Sequence, residues 1–128
     1  MVVDSSALLA IFLEEPDASM YLAAILNDPK RLMSAASLVE TSVVAMNRRR
    51  PDPIAALDTL IGRLGLTVIS VDHEQALIAR DAFRRFGKGR DAAGLNLGDL
   101  FSYALAMQLG EPLLFKGEDF GKTDVGVA

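Results

Sequence analysis

The feature that most constrains the fold of this chain is a succession of four short strand-like runs, each separated from the next by stretches of helical periodicity. The runs are Met1 to Val3, Arg31 to Met33, Thr67 to Val71 and Pro112 to Phe115. Strands separated by helices cannot pair as tight hairpins. They are joined by crossovers, lie parallel, and need helices on both faces of the resulting sheet. The expected fold is therefore α/β, a parallel sheet of four or five strands flanked by helices on both faces, in a single domain over residues 1–128. No internal repeat, linker or low-complexity tract interrupts it, and a chain of this length buries roughly two-thirds of its unfolded surface.

Local signals set the helix boundaries. Asp4, Ser5 and Ser6 supply capping side chains for a first helix through Phe12. Pro16-Asp17 opens a second helix, which runs to about Asn27 and ends at Asp28-Pro29. From Ala35 to Met46 the residues Ala36, Leu38, Val39, Val43, Val44 and Met46 recur at helical spacing and read as an inward stripe. The next helix carries the stripe Ile54, Leu57, Ile61 and Leu64 and stops at Gly65. Thr67 to Val71 has the β-branched character of a buried strand, and Asp72 caps a helix to about Phe86. Leu97 to Leu109, stopped by Gly110, is apolar nearly all round and is expected to be buried.

The chain has no cysteine and one histidine, His73, which excludes disulfides, thiolate metal sites, thiol nucleophiles and a histidine pair. Any chemistry must rest mainly on carboxylates, hydroxyls, lysine or arginine, with or without a hard, oxygen-loving metal such as Mg²⁺. The net charge of −4 counts against a phosphate partner, but its distribution is uneven. Residues 1–30 hold five acidic groups and one basic, residues 99–128 five and two, and residues 31–98 seven and ten. The basic clusters Arg48-Arg49-Arg50 and Arg84-Arg85…Lys88…Arg90 suit helix C-termini and solvated faces as well as a phosphate backbone. His73, near a helix start, reads as solvent-facing and receives no role.

Three carboxylates stand where apolar or structural neighbours are expected. Glu40 has Ala36, Ser37, Val43 and Val44 as its helical neighbours, so on an inward stripe it needs a partner, a proton or a metal. At the edge of the stripe it would instead reach solvent or pair with an arginine such as Arg31. Asp99 can be the return half of a capping box begun by Asn96, or face a crevice from the first turn of a buried helix. Asp4 can be a helix cap, or one of the residues that follow strands in α/β sheets and line the crevice beyond their carboxyl ends, as Asp72 and Lys116 also do.

On these residues the sequence resembles the PIN-domain family, in particular the VapC toxins of toxin-antitoxin pairs. Val2-Val3-Asp4-Ser5-Ser6-Ala7-Leu8 is similar to the family's opening. Ala36-Ser37-Leu38-Val39-Glu40 resembles its second acidic motif, and Leu97-Gly98-Asp99-Leu100-Phe101-Ser102-Tyr103-Ala104-Leu105-Ala106 its third. With Leu113 to Phe120 the likeness spans nearly the whole chain, in order. It implies an RNA-hydrolysing enzyme whose Asp4, Glu40 and Asp99 collect around Mg²⁺ or Mn²⁺, with Asp4 and Asp99 as ligands and Glu40 holding water or acting as a base. It also implies products with a 3′-hydroxyl and a 5′-phosphate, and a cognate antitoxin that inhibits the enzyme. The fourth acidic motif departs from the family pattern, since Phe115 and Gly117 stand where a threonine and an aspartate are frequent. Asp119 is the preferred substitute, with Glu118 as the alternative. Ser6 matches a small hydroxyl that orients Asp4 or a phosphate, or simply caps the helix.

Two other classes compete with the nuclease. A non-catalytic PIN-like module that binds RNA or protein is suggested by the altered fourth motif and the acidic charge. A phosphorylated receiver would use Asp4, Asp72 and Lys116, but it lacks an acidic pair after the first strand and leaves Glu40 unexplained. The stripe on the fourth helix and the apolar second helix suit core packing, a homodimer or an antitoxin clamp. No apolar run approaches membrane-spanning length and the first residues lack a basic leader, so the expected location is cytoplasmic, with no membrane partner.

Overall fold

A computed structural model describes residues 1–128. The elements run β1 (Val2–Val3), α1 (Ser5–Phe12), α2 (Ala18–Asn27), β2 (Leu32–Ser34), α3 (Ala35–Met46), α4 (Pro53–Leu64), β3 (Thr67–Ile69), α5 (His73–Phe86), α6 (Leu97–Leu109) and β4 (Leu113–Leu114), followed by a 3-10 turn at Phe120–Lys122. The sheet has four parallel strands in the order β3-β2-β1-β4. A fifth strand does not form: the tail contributes only an isolated bridge between Val127 and Leu113.

Period-two alternation along the strands divides the core in two. Val3, Met33 and Leu114 face a layer made with Leu8, Ile25, Leu57 and Leu64 of α1, α2 and α4. Val2, Leu32 and Leu113 face the opposite layer, where α5 and α6 contribute Ala79, Ala82, Tyr103 and Leu105. β1 is therefore covered on both sides, and Val2 and Val3 are both 0% exposed. The α4 stripe is used in this core, with Leu57 and Leu64 buried and Ile61 packed against them.

The connection from β1 leads toward β2 and β3, whereas the chain returns through α5 and α6 to β4 on the other side of β1. Strand connections thus diverge at β1, and in open α/β sheets the carboxyl end at such a point is where ligands bind. No helix of the protein is long and apolar enough to cross a membrane.

Two expectations about burial are corrected. β3 is an edge strand at the margin of both helical layers, neither of which buries a residue of it, so Thr67 and Val68 are exposed rather than buried. In α3 the inward face is Ser37, Thr41 and Ala45, while Val39, Val43 and Met46 are exposed. α3 meets α6 through a Ser37–Ser102 hydroxyl hydrogen bond of 3.0 Å, and Thr41 Oγ1 donates to the Ser37 carbonyl at 2.7 Å. Small hydroxyl side chains allow this contact with their polar groups paired, which a row of valines would prevent.

Candidate active site

Asp4 ends the central strand and begins α1. Its backbone N–H donates to the Leu114 carbonyl at 2.9 Å, so the residue is pinned to β4. Its Oδ2 accepts from the Ser6 backbone N–H at 2.9 Å and from Ser6 Oγ at 2.6 Å, which makes it the N-cap of α1. Its Oδ1 is buried and has no hydrogen-bond partner. The helix-cap reading of Asp4 is met through Oδ2, while Oδ1 makes no hydrogen bond. Ser6 Oγ in turn accepts from the Lys116 backbone N–H at 2.9 Å, tying α1, Asp4 and the end of β4 together.

Glu40 comes from α3 and is half-buried. Its Oε1 accepts a hydrogen bond from Ser5 Oγ. The alternative pairing with Arg31 is not formed, because Arg31 is committed to the carbonyls of Leu26, Asp28 and Leu64 at 2.7–3.0 Å. The same carboxylate lies against Gly98 in the first turn of α6, and a groove of about 540 Å³ lined by Val39, Glu40, Leu97, Gly98 and Phe101 opens beside it.

Asp99 follows Gly98. It forms the expected capping box, with its Oδ2 accepting from the Asn96 N–H at 2.9 Å and Asn96 Oδ1 accepting from the Asp99 N–H at 3.0 Å. That role does not satisfy the residue electrostatically. Its carboxyl is pushed up to about 6, first by burial and then by the negative charges of Asp4, Glu40 and Asp119, against the lowering effect of the Asn96 hydrogen bond. Asp119 stands at the start of the 3-10 turn and is exposed, and its charge adds to the rise at Asp99. The four acids named from the sequence thus share one field.

Their charge is not compensated by the neighbouring lysine. Lys116 leaves β4 beside Asp4, but its ammonium binds Glu15 and Asp17, 2.9 Å from the latter. As the side chains stand, no three acids converge closely enough to enclose a metal ion. An all-oxygen donor set with one orphaned buried oxygen and one carboxyl raised by burial and by neighbouring acids nevertheless fits a hard divalent cation, because such a charge would relieve both.

Other residues considered from sequence lie elsewhere. Asp72 caps α5 through the Gln75 N–H at 2.8 Å, beyond the edge strand, and His73 is exposed next to it. Arg84 and Arg85 pair with Asp81 and Asp124 at 2.7 and 2.8 Å, and Arg50 lies 4.7 Å from the Phe12 ring centre. Sequence reasoning missed Ser5 and Gly98. The available signal was adjacency, since each precedes or follows a candidate acid, together with a glycine placed inside a helix where alanine is favoured.

The fold is a four-stranded parallel sheet between helical layers, with Asp4 at the end of an inner strand. The family model described as PIN domain matches residues 1–126, and the chain belongs to the PIN-domain family. Within it, relatives over nearly the whole chain carry the VapC name. The chain is 51% identical over 125 residues to "Ribonuclease VapC" of Mycolicibacterium smegmatis, covering 98% of this chain and 97% of that protein. It is 49% identical over 125 residues to "Ribonuclease VapC30" of Mycobacterium tuberculosis, covering 98% and 95%. VapBC2 from Rickettsia felis, solved bound to a DNA fragment from its promoter, contains a chain that superposes with a TM-score of 0.79 at 12% identity, covering 99% of this chain and 96% of that one. At that identity the likeness is one of fold.

Proposed function

We propose that this protein is a divalent-metal-dependent endoribonuclease, the toxin of a toxin-antitoxin pair, inhibited by a cognate antitoxin. The observation that carries the reading is the raised Asp99 carboxyl in the shared field of Asp4, Glu40 and Asp119, beside an unpartnered Asp4 Oδ1. Relatives at about half identity over nearly the full chain, named ribonucleases, support the reaction type.

Asp4 Oδ1 and Asp99 would hold Mg²⁺ or Mn²⁺, with Asp119 as a further acid at the rim. A divalent cation there supplies charge neutralisation for phosphoryl oxygens and makes water a better nucleophile at neutral pH. Ser6 holds the Asp4 carboxylate in one orientation through its 2.6 Å hydrogen bond. Ser5 does the same for Glu40, which would hold metal-bound water or act as the base that takes its proton. Attack of water on phosphorus, with the P–O3′ bond breaking and the 3′-oxygen taking a proton as it leaves, would give a 3′-hydroxyl and a 5′-phosphate. The exposed apolar residues Val39, Val43 and Met46 on α3, and Met20, Leu22 and Leu26 on α2, support an antitoxin clamp and a homodimer, which sedimentation of the free and complexed chain distinguishes.

The deciding experiment is cleavage of a mixed RNA pool by antitoxin-free protein with Mg²⁺ or Mn²⁺, beside Asp4→Asn, Asp99→Asn and an EDTA control. Metal-dependent cleavage that both substitutions abolish, with 5′-phosphate ends, supports the reading. Cyclic 2′,3′-phosphate ends would refute the mechanism. The separation of the acids as they stand favours a second reading, a non-catalytic binding module. Folded protein that binds RNA yet neither binds metal nor cuts would establish that alternative.

A further inference from the structure

We propose that Gly98 is a positioning residue for the Glu40 carboxylate: the absence of a side chain at the start of α6 reserves the space in which that carboxylate sits. The inference rests on the metal-site reading above and extends it to a residue outside the acidic set.

Gly98 lies inside α6, and its backbone is not in the left-handed region where glycine is needed. Nothing about the chain conformation requires glycine there, and alanine is the better helix former. The requirement is spatial. A Cβ built on Gly98 would fall 2.6 Å from Glu40 Cδ and 3.0 Å from Oε1, and closer still to Oε2. By contrast Gly62, inside α4, has nothing within 4 Å of such a Cβ. Glu40 is therefore held from two sides: Ser5 donates to Oε1, and the bare Cα of Gly98 admits the rest of the group.

An added methyl meets only the far end of a flexible side chain, so the backbone need not move. Glu40 must swing out of its place between α1 and α6 while the helix itself gains. A substitution acting through Glu40 thus separates site geometry from folding.

The test is calorimetric titration of full-length, antitoxin-free protein with Mn²⁺, alongside melting temperatures in EDTA, for wild type, Gly98→Ala, Glu40→Ala and the double variant. Gly98→Ala is expected to weaken Mn²⁺ binding about tenfold or more while melting at or above the wild-type temperature without metal. In the Glu40→Ala background the same change is expected to weaken binding no further, because the group through which it acts is gone. Unchanged Mn²⁺ affinity in Gly98→Ala, or a full additional loss in the double variant, would overturn the inference while leaving the metal site standing. Wild-type protein that binds no Mn²⁺ would overturn the metal-site reading and this inference with it.

Discussion

Replacing Asp99 by asparagine should stabilise the metal-free protein while removing its function. In the fold the neutral carboxyl is favoured, since the group rises from its ordinary 3.8 to about 6. A group raised in this way contributes stability that is fully present below pH 3.8 and lost as pH rises through about 6. Above that range the wild type carries an ionised carboxylate opposed by burial and by Asp4, Glu40 and Asp119, a cost of at most about 3 kcal/mol. Asp99 is only partly buried, and solvent screening reduces this to about 1.5 kcal/mol. Asparagine has the same shape, keeps an acceptor for the Asn96 N–H and carries no charge. For 128 residues the unfolding entropy is about 0.27 kcal/mol/K, so Asp99→Asn should melt about 5 °C above wild type at pH 7.5 in EDTA. The gain should fade toward pH 4, where the wild-type carboxyl is itself neutral. Added Mn²⁺ should reverse the ranking, raising the wild-type melting temperature but not the variant's. Scanning calorimetry at the two pH values, with and without metal, reads all of this. A variant that melts at or below wild type at pH 7.5 in EDTA, or a gain undiminished at pH 4, would refute the account of Asp99 as a carboxyl raised by burial and by its acidic neighbours.

Asp4→Asn can keep both Ser6 hydrogen bonds and should melt within about 3 °C of wild type, yet lose RNA cleavage by about 100-fold or more, as measured on a labelled substrate. Asp4→Ala also loses the cap and should cost about 1 kcal/mol more, read by urea unfolding. Because protons compete with metal for Asp99, Mn²⁺ affinity should fall about tenfold per pH unit below pH 6; a flat calorimetric profile between pH 5 and 7 would exclude Asp99 as a ligand. Leu57→Ala, at a site 0% exposed, should destabilise by about 2–5 kcal/mol, whereas Leu97→Ala, at 72% exposed, should change stability by less than about 0.5 kcal/mol, both by urea titration.

The order and type of the elements, and the acids that deserved suspicion, could be read from the sequence alone. The bounds of α3 and α6 fall at Ala35–Met46 and Leu97–Leu109, as periodicity and the Gly110 stop indicated. The capping box at Asn96 and Asp99 and the cap at Asp4 were equally legible. These features depend on residues within about one helical turn of one another, so the information is local. The tertiary structure decided which face of α3 turns inward, that Ser5 rather than Arg31 binds Glu40, and that Gly98 makes room for it. It also placed β3 at an edge, where β-branched residues meet solvent. Each of these depends on what packs opposite a side chain: the strand order sets whether a strand has one neighbour or two, and the meeting of α3 with α6 selects hydroxyls where periodicity alone favoured valine.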